Sequence, residues 1–168
     1  MKQPIQETMS KDLITVGWKE TVEAAYHRMQ DCRIRHLPVT NERGDVVGIL
    51  SDRDVQRAMV SILEKGPGRH PRTETVHFEA SSRVRDYMSW PVRFVEKSTD
   101  LRTVAQLMIK DKVSSVLVCS GARFVGIATS EDLLKVLVQL LSEPGSLAGW
   151  NLGHLLDESF TRLGDTLV

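Results

Sequence analysis

Residues 48–54 read GILSDRD and residues 126–132 read GIATSED, and this repeated stretch decides the fold of the chain. In each copy a glycine within a predicted strand precedes a hydroxyl residue, Ser51 or Thr129, and an acidic residue follows three positions later. A hydroxyl residue and an acid at this spacing are typical of a capping box, which marks the start of a helix. The stretch therefore predicts, in two copies, a strand that leads directly into a helix.

The repetition reaches well beyond these two stretches. Met9 and Ser10 return 79 positions later as Met88 and Ser89, and the offset falls to 78 in the quoted stretches because one residue is missing from a turn of the second copy. A repeat of this length is a supersecondary unit that closes its core against its twin. Function is therefore expected where the two copies face each other.

Each copy is predicted to contain a strand, a helix, two further strands and a second helix. Thr21 and Asp100 precede apolar stripes at helical spacing, and the side-chain oxygens of both residues can cap a helix. The short turns between the two later strands favour antiparallel pairing. These β-branched strands are predicted at residues 35–39 and 46–50 in the first copy and at 114–119 and 124–128 in the second.

The second helices of the two copies differ in their apolar pattern. In the first copy the stripe is predicted on Val55, Ala58, Met59 and Ile62. In the second copy, residues 133–141 are apolar around nearly the whole circumference of the predicted helix. A helix of that kind needs burial on more than one side, so we predict a self-association surface and a homodimer.

These elements set the predicted domain boundaries. The first repeat is expected at residues 3–63 and the second at residues 83–142. Segment 64–82 contains several glycines and prolines and little apolar periodicity, which favours an exposed linker, and residues 143–168 form a C-terminal extension. The predicted fold class is α+β, with two strand-helix-strand-strand-helix repeats packed with pseudo-two-fold symmetry.

Composition excludes several functions. The 168 residues include 22 basic and 22 acidic side chains, so the net charge is zero and neither nucleic acid nor a membrane is expected as a partner. No stretch resembles a signal peptide or a membrane span, which predicts a cytoplasmic protein. Cys32 and Cys119 are expected to be packed and inert, and the histidines lack metal-ligand spacing, so no metal site is predicted.

The repeated stretch itself has two interpretations. By spacing alone the capping box ranks first, and it needs no ligand. However, Gly48 and Gly126 lack a side chain, which would let a flat ligand approach the backbone, although a glycine in a strand can also mark a bulge. A hydroxyl at a helix start can donate to a phosphate. The acid can accept hydrogen bonds from two ribose hydroxyls, so both interpretations stay open.

The chain resembles a tandem pair of cystathionine-β-synthase (CBS) domains, often called a Bateman module, over about residues 3–142. The resemblance rests on RHLPV at residues 35–39 followed by GILSDRD, with Met9 and Met29 upstream. Within this family the chain is most similar to free-standing pairs such as the acetoin-utilisation accessory proteins.

The resemblance implies that an adenine nucleotide binds in the cleft between the repeats. It places Ser51 and Thr129 near phosphate and Asp54 and Asp132 on ribose. It also implies that strand residues surround the base, namely Ile14, Thr15, Val16, His36, Leu37, Pro38, Val95, Ser115 and Val116.

The second copy departs from the family pattern at two positions. Leu117 stands where the first copy has Pro38, and Glu131 stands where it has Arg53. An anion beside a phosphate is unfavourable and a cation is favourable. The site that contains Arg53 is therefore predicted to bind a phosphorylated ligand more tightly.

The resulting hypothesis is a non-catalytic regulatory and energy-sensing module, because the sequence offers no paired nucleophile and base. Its expected ligand is AMP, ADP, ATP or S-adenosylmethionine, no cofactor is required, and the sequence does not name the regulated protein. The alternative is a structural module that dimerises through its apolar helices and binds no ligand.

Overall fold

The computed structural model of the chain describes residues 3–64 and 73–142. It divides into two compact units, Met1–Ser130 and Glu131–Val168. The predicted C-terminal extension, residues 143–168, lies outside the described residues.

The first repeat forms a three-stranded sheet with two helices. Its elements are β1 (Val16–Gly17), α1 (Val22–Cys32), β2 (His36–Thr40), β3 (Val46–Ser51) and α2 (Asp52–Ala58). Strand β2 lies in the middle of the sheet, parallel to β1 and antiparallel to β3. The predicted order of elements and the antiparallel pairing are confirmed.

The prediction for the end of α2 is wrong. The helix stops at Ala58, and Met59 and Ile62, which the spacing predicts on its stripe, lie instead in strand β4 (Met59–Glu64). Strand β4 pairs antiparallel with β5 (Thr73–Phe78), so the segment predicted as an exposed linker contains a strand. Pairing with a distant strand has overridden the local helical spacing. Residues 65–72 lie outside the described residues.

The second repeat has the same order of elements. It begins with a single helical turn, α3 (Val84–Tyr87), and continues with β6 (Phe94–Glu96), α4 (Leu101–Asp111), β7 (Ser115–Ser120) and β8 (Arg123–Thr129). Strand β7 is central, parallel to β6 and antiparallel to β8. The two sheets are therefore copies of one topology, as the repeated sequence predicts.

Only one of the two predicted side-chain caps forms. The Thr21 hydroxyl accepts a hydrogen bond from the backbone N–H of Ala24 at 3.2 Å, which caps α1. The Asp100 side chain makes no cap hydrogen bond to α4, and its Oδ1 accepts instead from the backbone N–H of Gln3 at 3.2 Å. The carboxylate of Asp100 thus fixes the start of the chain to the second repeat.

The start of the chain packs on the second repeat. The Ile5 N–H donates to the carbonyl of Thr99 at 2.9 Å, and Ser10 exchanges two backbone hydrogen bonds with Ile127, at 2.9 and 3.0 Å. Ile5 begins a short 3₁₀ turn (Ile5–Glu7) and is fully buried. The first residues of repeat one therefore contribute to the second half of the molecule.

The start of the second repeat makes the reciprocal contacts with the first. The Val84 N–H donates to the carbonyl of Glu20 at 3.0 Å, and Ser89 exchanges two backbone hydrogen bonds with Ile49, at 2.8 and 3.1 Å. Val84 is fully buried in the hydrophobic cluster that contains Leu37 of the first repeat. The two repeats have exchanged their first turns.

This exchange explains the two strand glycines. A Cβ at Gly48 would lie 2.5 Å from Met88 Sδ, and one at Gly126 would lie 2.7 Å from both Met9 Sδ and the Ser10 carbonyl oxygen. The close approach that these glycines allow is made by the protein itself, so the suggestion that they admit a flat ligand is wrong. The sheet register also shifts beside both glycines, which agrees with the bulge interpretation.

Helix α5 (Ser130–Ser142) belongs almost entirely to the second unit. Val136 is buried and Leu133 is partly buried, whereas the other large apolar side chains of the helix are exposed. These exposed side chains are Leu134, Leu137, Val138, Leu140 and Leu141. Their exposure leaves the predicted self-association surface available.

Cys119 is buried, and this burial together with the nearby Glu96 raises the pKa of its thiol, in keeping with an unreactive side chain. Cys32 is exposed, so the expectation that both thiols are packed is wrong for Cys32. Within the described ranges no helix is long and apolar enough to cross a membrane, and no cluster of side chains there is arranged to hold a metal ion.

Candidate functional site

A cavity of about 240 Å³ lies between the two repeats within the first unit. Both repeats supply its walls, and the second contributes through the segment after α3 and the end of α4. The lining residues are His36, Ile49, Ser51, Arg53, Asp54, Arg57, Ser89, Pro91, Val92, Arg93, Lys112, Val113, Ser114 and Ser115. Five predicted site residues are thus brought together, namely His36, Ser51, Arg53, Asp54 and Ser115.

Ser51 and Asp54 form a complete capping box at the start of α2. The Ser51 N–H and hydroxyl donate to Asp54 Oδ2 at 2.8 and 2.6 Å, and the Asp54 N–H donates to Ser51 Oγ at 3.3 Å. Asp54 is only 5% exposed. The capping interpretation is confirmed, and the same carboxylate lines the cavity.

Arg57 covers the other oxygen of this carboxylate. Its Nη2 lies 2.7 Å from Asp54 Oδ1 and also donates to the carbonyl of Tyr87, in the exchanged turn of the second repeat, at 3.1 Å. The sequence reasoning missed Arg57. Its signal is the three-residue spacing from Asp54, which recurs in the second repeat as Lys135 and Asp132.

His36 joins the two repeats in the wall of the cavity. Its Nε2 lies 2.8 Å from the hydroxyl of Ser114, and the sheet register places His36 opposite Ser51. Burial lowers the pKa of His36, and although the neighbouring Asp52 opposes this effect, the pKa lies below its usual value of 6.5. A neutral ring can both donate and accept, so His36 suits hydrogen bonding to a polar ligand.

The charges around the cavity are mostly positive. Arg53 and Arg57 come from the first repeat, and Arg93 and Lys112 come from the second. Arg57 pairs with Asp54, and Arg93 Nε lies 2.7 Å from Asp111 Oδ2. Within the described part of the chain, Arg53 and Lys112 make no ion pair. An anionic ligand would therefore meet cations from both repeats.

The other predicted base contacts in the first unit do not line this cavity. Leu37, Pro38, Val16 and Val116 are buried, and Ile14 packs against the core of the first repeat. The carbonyl of Thr15 accepts from Arg28 Nη1 at 2.8 Å, and that of Val95 accepts from Cys119 Sγ at 3.3 Å. Their role around a base remains a prediction.

The second predicted phosphate and ribose pair is divided between the two units. Thr129 ends β8 in the first unit, whereas Asp132 lies in α5 in the second, where it is buried. Lys135 Nζ lies 3.8 Å from Asp132 Oδ1 and 3.1 Å from Glu131 Oε1. The second repeat thus places a cation three residues after its acid, as the first does.

Apart from Ser115, sequence reasoning also missed the residues that the second repeat adds to the cavity. Ser89 comes directly after the exchanged turn. Lys112 is the C-cap residue of α4 and has a left-handed backbone, φ 54°. Lys112 occupies the position that Arg33 holds in the first repeat, where φ is 53°. The shared position was visible in the repeated sequence, but its place at the cavity depends on how the repeats pack.

Comparison with known proteins supports this architecture. The CBS domain pair of protein MJ0100, crystallised with 5′-methylthioadenosine and S-adenosyl-L-methionine, matches with a TM-score of 0.67 and 23% identity over 83% of this chain and 98% of that one. An acetoin utilisation protein (AcuB) from Vibrio cholerae matches with a TM-score of 0.63 and 23% identity over 86% and 100% of the two chains. At this identity the likeness shows the fold.

Curated relatives give the same result at the level of sequence. An uncharacterised protein of Methanocaldococcus jannaschii is 23% identical over 137 residues, which are 82% of this chain and 44% of that protein. The chain spans less than two thirds of the length of this relative and of two further archaeal ones. The family profile of the CBS domain matches residues 5–61 and 84–139, more than half of the chain, and the protein therefore belongs to the CBS-domain family.

Proposed function

We propose that this protein is a non-catalytic regulatory module that binds an adenine nucleotide or another adenosyl ligand between its two CBS repeats and transmits the presence of that ligand to a partner protein. The observation that carries the proposal is the cavity of about 240 Å³ to which both repeats contribute polar and charged side chains. A ligand in this position would change the packing of the repeats, which is what a sensor requires.

The chemistry of the cavity fits such a ligand. Asp54 offers a carboxylate to the ribose diol, and Ser51 and Arg53 on the same helix start offer donors to phosphate. His36 and Ser114 place a neutral ring and a hydroxyl within the same walls. The bound 5′-methylthioadenosine and S-adenosyl-L-methionine of the MJ0100 domain pair support an adenosyl ligand in this fold.

The experiment is isothermal titration calorimetry of the full chain with AMP, ADP, ATP, 5′-methylthioadenosine and S-adenosylmethionine. We expect at least one of them to bind, and we expect Asp54→Asn to weaken that binding at least tenfold, because a neutral amide accepts fewer hydrogen bonds from a diol. Asp31→Asn is the matched control, since Asp31 is exposed on α1 and does not line the cavity. Failure of all five ligands to bind would refute the proposal.

A second candidate function is a structural module that binds no ligand. It is favoured by the capping box, because both oxygens of Asp54 have partners, Ser51 and Arg57, without a ligand. If Asp54→Asn lowers stability while no adenosyl ligand raises the midpoint of thermal unfolding, this function is the better one.

We also infer that the chain self-associates through α5. The exposed apolar side chains of this helix, including Leu134 and Val138, support a dimer. Light scattering after size-exclusion chromatography measures the mass directly, and a monomer at high protein concentration would contradict the inference. As a nucleotide sensor the protein would act in the cytoplasm.

A further inference from the structure

Arg57 occupies the oxygen of Asp54 that a ribose would need. Oδ2 already accepts two hydrogen bonds from Ser51, and the backbone N–H of Ser51 stays in place whatever the hydroxyl does. Oδ1 is the oxygen that remains for a ligand, and Arg57 Nη2 lies 2.7 Å from it. With Arg57 in position the residue Asp54 is only 5% exposed. A ribose diol therefore reaches Asp54 only when Arg57 moves away.

Arg57 is able to move. Its side chain is 65% exposed, and its second hydrogen bond, to the Tyr87 carbonyl at 3.1 Å, is to a neutral acceptor. When the guanidinium moves, it loses the charge-assisted hydrogen bond to the Asp54 carboxylate. Another anion has to replace that carboxylate to offset the loss. Arg57 lines the same cavity as Ser51 and Arg53, so a phosphate attached to the ribose would lie within its reach.

We propose that Arg57 exchanges Asp54 for the ligand's phosphate when a nucleotide binds, and that this exchange makes the site selective for phosphorylated adenosine over uncharged adenosyl ligands. The inference rests on the proposed function, since it needs an adenosyl ligand at Asp54. A phosphorylated ligand supplies hydroxyls to Asp54 and a phosphate to Arg57 in one step. A neutral ligand satisfies the carboxylate but leaves the guanidinium without an anion.

The second repeat supports a general role for this position. Lys135 stands at the equivalent position and lies 3.8 Å from Asp132 Oδ1, so a cation faces the predicted ribose acid in both copies. In that copy Glu131 offers a second carboxylate to the cation, at 3.1 Å. The geometry therefore favours the exchange most clearly in the first repeat, where the guanidinium of Arg57 bridges Asp54 and the carbonyl of Tyr87 in the second repeat.

The test compares ATP and 5′-methylthioadenosine by calorimetry on the full chain. In the unaltered protein we expect ATP to bind at least tenfold more tightly. In Arg57→Gln, ATP affinity should fall about tenfold because a charge-assisted bond is lost, while 5′-methylthioadenosine affinity should rise a few-fold because Asp54 is already uncovered. Arg57→Lys keeps the charge and should retain the preference for ATP.

Arg43→Gln is the matched control, because Arg43 is an exposed arginine in the turn between β2 and β3 and does not line the cavity. It should leave both affinities unchanged. Equal losses for both ligands in Arg57→Gln would overturn the inference, as would equal affinities in the unaltered protein, and either result leaves the proposed function standing. Binding of neither ligand, nor of any other adenosyl compound, would refute the proposed function itself.

A second measurement does not depend on how the variant folds. Nuclear magnetic resonance of arginine side-chain nitrogens in the unaltered protein should show the Arg57 signal shifting with ATP. With 5′-methylthioadenosine at saturation the signal should move toward that of a solvated guanidinium. An Arg57 signal unaffected by ATP would overturn the exchange.

Discussion

His36 and Ser114 lie 78 residues apart in the sequence and are joined by a hydrogen bond of 2.8 Å between Nε2 and Oγ. Both residues line the candidate cavity, and the bond ties the central strand of one sheet to the residue that precedes the central strand of the other. Burial is the main cause of the lowered pKa of His36. Its protonation is therefore coupled to the packing of the two repeats.

The first prediction concerns pH. Because the pKa of His36 is lower in the folded protein than its usual value of 6.5, the unfolded chain binds the proton more readily. The contribution of His36 to stability is therefore fully present above pH 6.5 and is lost as the pH falls through the folded pKa. Urea unfolding between pH 8 and pH 5 should show this loss of stability. In His36→Gln, the free energy of unfolding should depend less steeply on pH.

His27→Gln is the control for this measurement, because His27 is exposed on α1 and does not line the cavity. It should leave the slope of stability against pH unchanged. An equal slope in His36→Gln and in the unaltered protein would show that His36 does not carry the effect.

The second prediction separates the two strand glycines. Gly126→Ala places its Cβ 2.7 Å from the Ser10 carbonyl oxygen, which is backbone, whereas the closest contact of Gly48→Ala is the flexible side chain of Met88. We expect Gly126→Ala to cost about 2–3 kcal/mol and Gly48→Ala about 1 kcal/mol, as is typical of overpacking. Denaturant unfolding gives both free energies.

The rescue experiment sharpens this comparison. Met88→Ala should recover part of the stability lost in Gly48→Ala, because it removes the atom that meets the new Cβ. Met9→Ala should recover little in Gly126→Ala, since the Ser10 carbonyl remains. Equal recovery in both pairs would contradict the assigned contacts.

The third prediction tests the exchange of first turns. Ile5→Ala removes a fully buried side chain and should cost about 2–4 kcal/mol, whereas Ile109→Ala, at a side chain 77% exposed, should cost almost nothing. Because Ile5 is hydrogen-bonded to Thr99, hydrogen exchange should accelerate in α4 more than in α1. Acceleration confined to α1 would show that the first turn covers its own repeat.

The fourth prediction concerns the charge at position 53. Arg53→Glu gives the first repeat the residue found at the equivalent place in the second, Glu131, and puts an anion into the cavity wall. Affinity for AMP or ATP should fall by at least tenfold, and by less at high salt. Arg43→Glu, outside the cavity, makes the same change of net charge and should have little effect.

Much of the fold follows from local patterns in the sequence. The repeat, the order of elements and the capping box of Ser51 and Asp54 are all encoded by residues close together in the chain. The cap at Thr21 is of the same kind. Such features depend on short-range hydrogen bonds and periodic apolar faces, so sequence alone was enough to predict them.

The errors arise where distant residues decide the structure. Met59 and Ile62 fit a helical stripe, but they pair with a strand inside the segment expected to be a linker. Asp100 could cap its own helix, yet its carboxylate accepts a hydrogen bond from the backbone N–H of Gln3, 97 residues away. The role of Arg57 was hidden for the same reason, since its second partner is Tyr87 in the other repeat.

Because the first turns are exchanged, the boundary between the structural halves does not coincide with the boundary between the sequence repeats. Among the described residues of the first unit, one half comprises residues 11–64 and 73–89, and the other is assembled from residues 3–10 together with residues 90–130. If the gene were cut at the boundary between the sequence repeats, each fragment would lack the first turn that packs on its own sheet. It would carry instead the first turn that packs on the sheet of the other fragment. Circular permutants opened after Ser10 would instead keep each structural half continuous.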